Sequence, residues 1–197
     1  MPKPEVYVHV DIEADGPIPG PYSMLNVGLA AFQAGSREPV ATFEANLAPL
    51  EGATQHPDTM EWWAKHPEAW KYVTTNPQDP EKVMKEIVTW GRKLPARPIL
   101  TVFPTYDFPW MRWYLVRFCG LKEADLYGFA ALDLKTLMAE RLNIPFRQAS
   151  KRGVSRIKPH WFEGCPKHDH TGLTDAIGQG VLHMNILADR GVSPEEG

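Results

Sequence analysis

The sequence holds only two cysteines, Cys119 and Cys165, far apart in its 197 residues. A disulfide-stapled scaffold is therefore excluded, and reduced thiols, as in a cytoplasm, are expected. No apolar run approaches the roughly 18 residues of a membrane span. The opening stretch MPKPEVYV has no apolar leader region, so no signal peptide is expected. Positive charge is not in excess either. The formal net charge is −3, which excludes a protein that holds nucleic acid by bulk electrostatics. A polyanion must here meet a local basic patch or metal ions. There is no internal repeat and no long low-complexity tract.

What is present suits a single domain over residues 1–197, with 43% hydrophobic residues to form one core. Residues 6–12 alternate valine with other side chains and read as a strand. The Pro/Gly-rich ADGPIPGPYS after them must be loop. Residues 24–32 and 40–47 read as two more strands, so the first three are expected to form an antiparallel meander. The pattern then turns helical. Asp58 followed by Glu61 resembles a capping box, and Pro67 opens a second short helix. Helices are also expected over 80–93, from the turn near Asp107 to Gly120, over 132–142 and over 175–190. The run PILTVF at 98–103 reads as a buried strand. Residues 147–168 read as an extended basic loop, and 190–197 as a frayed tail. Together these elements predict an α/β layered domain around one mixed sheet.

One feature of the first strand is costly. Asp11 and Glu13 are two apart, so both carboxylates point to the same face. Two further acids stand where partners are needed. Asp107 follows the strand PILTVF, and Asp175 opens the last helix, five residues after His170. Strand ends and the helix starts that face them are where α/β folds gather ligands. Four converging carboxylates repel one another, and hard divalent cations such as Mg2+ or Mn2+ remove that conflict. Two such ions can hold the attacking and leaving oxygens of a phosphodiester, and a histidine nearby can take the proton of the attacking water.

The set D11-x-E13, Y106-D107-F108 and H170-x4-D175 resembles the DEDDh branch of the RNase H-like 3′-to-5′ exonucleases, which includes ribonuclease T, oligoribonuclease and polymerase proofreading subunits. The resemblance spans residues 6–187. It implies a five-stranded mixed sheet flanked by helices, with Asp11 on the central strand. It implies that Asp11 bridges two divalent cations, that Glu13 and Asp175 hold the first with it, that Asp107 supports the second, and that His170 is the general base. Nucleoside 5′-monophosphates would be released from single-stranded 3′ ends, with RNA favoured over DNA. The segment TMEWWAKHPEAW is most similar to a bacterial exoribonuclease group first described in mycobacteria. The sequence departs from the family in its long proline-rich loop after Glu13 and its long basic stretch before His170. Homodimers are frequent in the family.

Other residues carry weaker expectations. Met24 sits where the family places an apolar wedge against the terminal base. Tyr106, Phe108 and Trp110 flank Asp107 and would shape a substrate cleft or fill the core. Residues 147–167 hold Arg147, Lys151, Arg152, Arg156, Lys158 and Lys167 against Glu163, a local excess of five positive charges. Arg152 and Arg156 within it are candidate phosphate contacts. Cys165, His168 and His170 are spaced C-x2-H-x-H, but no matching fourth zinc ligand is evident. His168 then reads as an exposed loop residue and Cys165 as a small semi-buried one. Of the adjacent Trp62 and Trp63, only one can face the core; Trp62, Trp63 and Trp70 read as core or dimer contacts sooner than as base-stacking platforms. Two alternatives stand beside the main reading: a DNA exonuclease of the same fold, and a non-catalytic nucleic-acid-binding module.

Overall fold

A computed structural model describes residues 5–189. The expected end of the last helix at Arg190 and the 190–197 tail lie outside the described residues. Five strands form one mixed sheet in the order β3-β2-β1-β4-β5. β1 (Val6–Ala14), β2 (Met24–Gln33) and β3 (Ala41–Asn46) make the expected antiparallel meander. β4 (Pro98–Val102) joins β1 in parallel, which makes β1 the central strand.

Strand alternation assigns the two faces. Val6, Val8, Val10 and Ile12 of β1 enter the main core with Val83 and Ile87 of α3 (Pro80–Arg92) and with Met111 and Tyr114 of α4 (Asp107–Cys119). Tyr7 points to the other face, where Ala30 and Phe32 of β2 meet Ala176, Val181 and Met184 of α8 (Gly172–Ala188). Asp11 and Glu13 share that second face. The remaining helices are α1 (Pro57–Trp63), α2 (Pro67–Thr74), α5 (Leu121–Ala124), α6 (Leu134–Leu142) and α7 (Lys151–Ile157). No described helix is long and apolar enough to cross a membrane.

Four local expectations need correction. Residues 147–168 are not an extended loop. Ser150 caps α7 by accepting from the Gly153 N–H at 3.0 Å, and a 3-10 turn follows at Pro159–Phe162. Val154 and Trp161 are buried there against Leu182 and Ile186 of α8. These turns are too short to show a helical period, and their apolar partners are distant in sequence. Residues 132–133 belong not to a helix but to a two-residue strand, β5 (Leu132–Asp133), which pairs in parallel with β4. α1 starts at Pro57 after His56, with no side-chain cap, so Asp58 lies inside its first turn and caps nothing. α8 begins at Gly172, before Asp175, where the Asn26 Oδ1 of β2 accepts the Gly172 N–H at 2.9 Å and takes the place of a local side-chain cap.

That contact belongs to a close backbone approach that positions the acids. Gly28 lies directly opposite Asp11 in the β1–β2 ladder. A Cβ on Gly28 would fall 2.0 Å from the Gly172 carbonyl carbon and 2.1 Å from the Leu173 nitrogen. The first turn of α8 thus rests on the bare backbone of β2, next to Asp11. Gly28→Ala is expected to cost about 2–3 kcal/mol, since backbone atoms cannot move aside as a flexible side chain would. Thermal unfolding should show the loss; a variant as stable as wild type would show that α8 docks without needing this bare backbone.

Candidate active site

Three elements deliver the acids. Asp11 and Glu13 come from the end of β1, Asp107 from the first residue of α4, and Asp175 from the first turn of α8. Carboxylate oxygens of Asp11, Glu13 and Asp175 lie within 4.8 Å of one another. Asp107 is buried, and its Oδ1 accepts the Ile12 N–H at 3.3 Å, which ties it to β1 between the other two acids. The Asp107 Oδ2 and Asp175 Oδ2 are buried with no hydrogen-bond partner. The Asp11 Oδ1 accepts from the Gln179 Nε2 at 2.8 Å, one helical turn beyond Asp175.

The electrostatics are unfavourable for a site of acids alone. Burial, then the charges of Asp107, Glu13 and Asp175, hold the Asp11 carboxyl well above the usual carboxylate range. Burial and the charges of Asp175, Asp107 and Asp169 do the same to Glu13. Burial pushes Asp107 up to about 8, against the opposing N–H of Ile12. The opposing positive charge on both Asp11 and Asp107 comes from Lys151 at the start of α7, whose Nζ lies 5.0 Å above the Phe103 ring. Orphaned carboxylate oxygens, mutual repulsion and all-oxygen donors fit hard divalent cations.

His170 stands at the rim. Its backbone is left-handed, with φ 61°, and its loop is held by the Asp169 Oδ1, which accepts the Thr171 N–H at 3.1 Å and the Thr171 hydroxyl at 2.7 Å. Donor atoms of His168, His170 and Asp175 lie within 4.8 Å of one another. Burial and the neighbouring imidazoles of His168 and His66 lower the pKa of His170, so it is neutral near pH 7. Trp62 and His66 meet its ring edge-on, each at 4.9 Å. Trp63 is the inward tryptophan, and Trp62 lies beside His170.

The five residues Asp11, Glu13, Asp107, His170 and Asp175 therefore lie together. The other candidates divide. Met24 is not a wedge: it is completely buried in the main core, because the register irregularity between Glu13 and Ala14 turns it inward. Trp110 is core as well. Phe108 packs partly against that core and borders a surface groove with Arg112 and Trp113. Tyr106 is 40% exposed beside Asp107 and donates its hydroxyl proton to the Gly16 carbonyl at 2.8 Å. Arg152 lines a cavity of about 260 Å3 with Lys151, Ser155, His168 and Asp175, whereas Arg156 is exposed on α7 outside it. Cys165 donates to the Gly178 carbonyl at 3.5 Å and stays out of the His168 group. Lys151 and Gln179 were not singled out by the motifs. Their signals are weak ones: a lysine in a basic run, and a glutamine four residues after a motif aspartate.

Solved structures show the same architecture. The nuclease domain of 3′hExo, a DEDDh family member solved bound to rAMP, superimposes with a TM-score of 0.74 at 12% identity, covering 96% of this chain and 94% of that one. This chain has the DEDDh exonuclease fold. The same fold is found in S. pombe Pop2p in its Mg2+- and Mn2+-bound form, with a TM-score of 0.67 and 18% identity over 93% of this chain and 83% of that one. In sequence, the chain is 27% identical over 187 residues to the 3′-5′ DNA exonuclease Cap18 of Escherichia coli, covering 92% of this chain and 91% of that protein. No protein-family model matches the sequence. These likenesses support the RNase H-like exonuclease superfamily, and none of them carries the narrower mycobacterial exoribonuclease resemblance.

Proposed function

We propose that this protein is a divalent-cation-dependent 3′-to-5′ exonuclease that hydrolyses the terminal phosphodiester of single-stranded DNA and releases nucleoside 5′-monophosphates. The observation that carries the reading is the convergence of Asp11, Glu13, Asp107 and Asp175, two of them with orphaned buried oxygens, beside the His170 imidazole. Asp11, Glu13 and Asp175 would hold one cation, and Asp11 with Asp107 a second. When bound, Mg2+ or Mn2+ supplies the positive charge that lets all four acids ionise and that stabilises negative charge developing on the phosphate.

The side chains around that centre have separable tasks. His170, unprotonated at neutral pH, accepts the proton of the attacking water at a ring nitrogen. Trp62 and His66 pack edge-on against its ring. Gln179 holds one oxygen of Asp11. Lys151 and Arg152 place positive charge beside the acids, where the phosphate backbone of the strand would approach. DNA is put first because the E. coli relative that spans the chain is named a DNA exonuclease. RNA is the second reading, supported by the fold shared with an rAMP-bound nuclease domain.

Matched 3′-end-labelled DNA and RNA oligomers, incubated with Mg2+, Mn2+ or a chelator, test both readings. Labelled mononucleotide should appear with either ion and not with chelator, faster from DNA. His170→Ala should slow release by about 10²–10⁴-fold, the range of general-base catalysis, while the metal still raises the unfolding temperature. Release that survives chelation, or a His170→Ala variant as fast as wild type, would refute the assignment. Binding of oligomers without any release would favour the non-catalytic module.

A further inference from the structure

We propose that His168, His170 and Asp175 form a second metal site, one that takes Zn2+ and silences the enzyme by occupying its general base and one of its acidic ligands. Donor atoms of the three side chains lie within 4.8 Å of one another, and the set shares only Asp175 with the acidic cluster. Two imidazole nitrogens and one carboxylate oxygen form the three-ligand, open-position pattern known from catalytic zinc sites. Mg2+ is a poor competitor there, since it prefers oxygen and sheds water reluctantly. Zn2+ binds imidazole readily and stands higher in the affinity order of divalent ions than Mn2+.

Burial and access fit an ion. Asp175 is only 4% exposed and turns its Oδ1 to the His168 ring. The His168 side chain is 57% exposed and borders the cavity of about 260 Å3, so an ion has a way in. At present the His168 Nδ1 bonds the Asp175 Oδ1 at 2.5 Å. An ion held at about 2.0–2.1 Å from each donor would sit between them and part the pair by under an ångström or so. The exposed imidazole can make that movement. The site differs from the cysteine-containing pattern in the sequence, because the Cys165 thiol is turned to Gly178.

Zn2+ binding does not depend on the exonuclease reading; only the silencing does. Calorimetric titration of Zn2+ into the full-length protein in excess Mg2+ should give one site. His168→Ala should weaken it at least tenfold, and His168→Gln should do the same. Asp11→Asn should not weaken it. Co2+ in place of Zn2+ should give visible absorption bands of low-symmetry four-coordination, lost in His168→Ala. In the oligomer assay, the Zn2+ concentration giving half-inhibition should rise at least tenfold in His168→Ala relative to that variant's own uninhibited rate. Equal Zn2+ affinity in wild type and His168→Ala, or loss of Zn2+ binding in Asp11→Asn, would overturn the proposal, since the ion would then sit among the acids. A protein without nuclease activity would refute the exonuclease reading, and the calorimetry and Co2+ spectrum would still decide the zinc site.

Discussion

Asp11→Asn is expected to abolish nucleotide release and, in the absence of metal, to make the protein more stable. Asp11 is the acid on which the others converge: the charges of Asp107, Glu13 and Asp175 all act on it. Asparagine keeps the shape and can still accept the Gln179 amide hydrogen through its Oδ1, so the fold has no reason to change. It cannot supply the negative charge that a cation shared among these acids needs. Turnover with Mg2+ should fall by about 10³-fold or more, equivalent to roughly 4 kcal/mol of transition-state stabilisation. Without metal, the same change removes a carboxyl that is held out of water among like charges, a gain of about 1–2 kcal/mol. The unfolding temperature of the chelated variant should then exceed that of chelated wild type by about 3–6 °C, and added Mg2+ should raise it less than it raises wild type. Wild-type turnover in this variant would remove the metal centre from the account. A lower unfolding temperature in chelator would mean that Asp11 is structural.

The second large effect is on pH. Asp107 has a folded pKa of about 8, raised above its unfolded value, and Asp11 and Glu13 are raised too. Between the unfolded and folded values the native state carries protons that the unfolded chain has lost. Stability therefore falls as pH rises through that interval. Two buried histidines work in the opposite sense. Burial lowers His183 to about 4 and His9 well below the imidazole range, so they destabilise the fold only below about pH 6.5, where the unfolded chain takes up their protons. From pH 6.5 to 8 the acids act alone. Asp107 by itself should then cost about 1–2 kcal/mol, a drop of roughly 3–6 °C in the chelated protein. Saturating Mg2+ should cancel the slope, and Asp107→Asn should reduce it without metal by the share Asp107 contributes. A chelated protein whose unfolding temperature is constant from pH 6.5 to 8 would show that these carboxyls are not held protonated.

Much of this is legible in the sequence. The meander came from valine alternation and from turns rich in glycine and proline. The five motif residues were read from a D-x-E at a strand end, an aspartate after a buried strand, and a histidine five residues before a helical aspartate. What was missed has a common cause. Met24 and the 147–168 segment depend on partners distant in the chain. Met24 turns into the core because β1 and β2 slip register at Glu13 and Ala14. Trp161 and Val154 form helical turns because Leu182 and Ile186 cover them. β5 exists only because β4 offers it an edge.

By itself the sequence determined the residue types and the order in which they arrive: acids at the ends of apolar strands and helix starts, an imidazole near the last of them, and a lysine in a basic run. Only the tertiary structure decided that these groups meet. A glycine in β2 and a glycine opening α8 bring two backbones within contact, and that approach sets Asp175 against Asp11. Proximity of this kind is a property of packing. No local pattern encodes it, because side chains far apart along the chain interact only once the sheet and helix between them have closed.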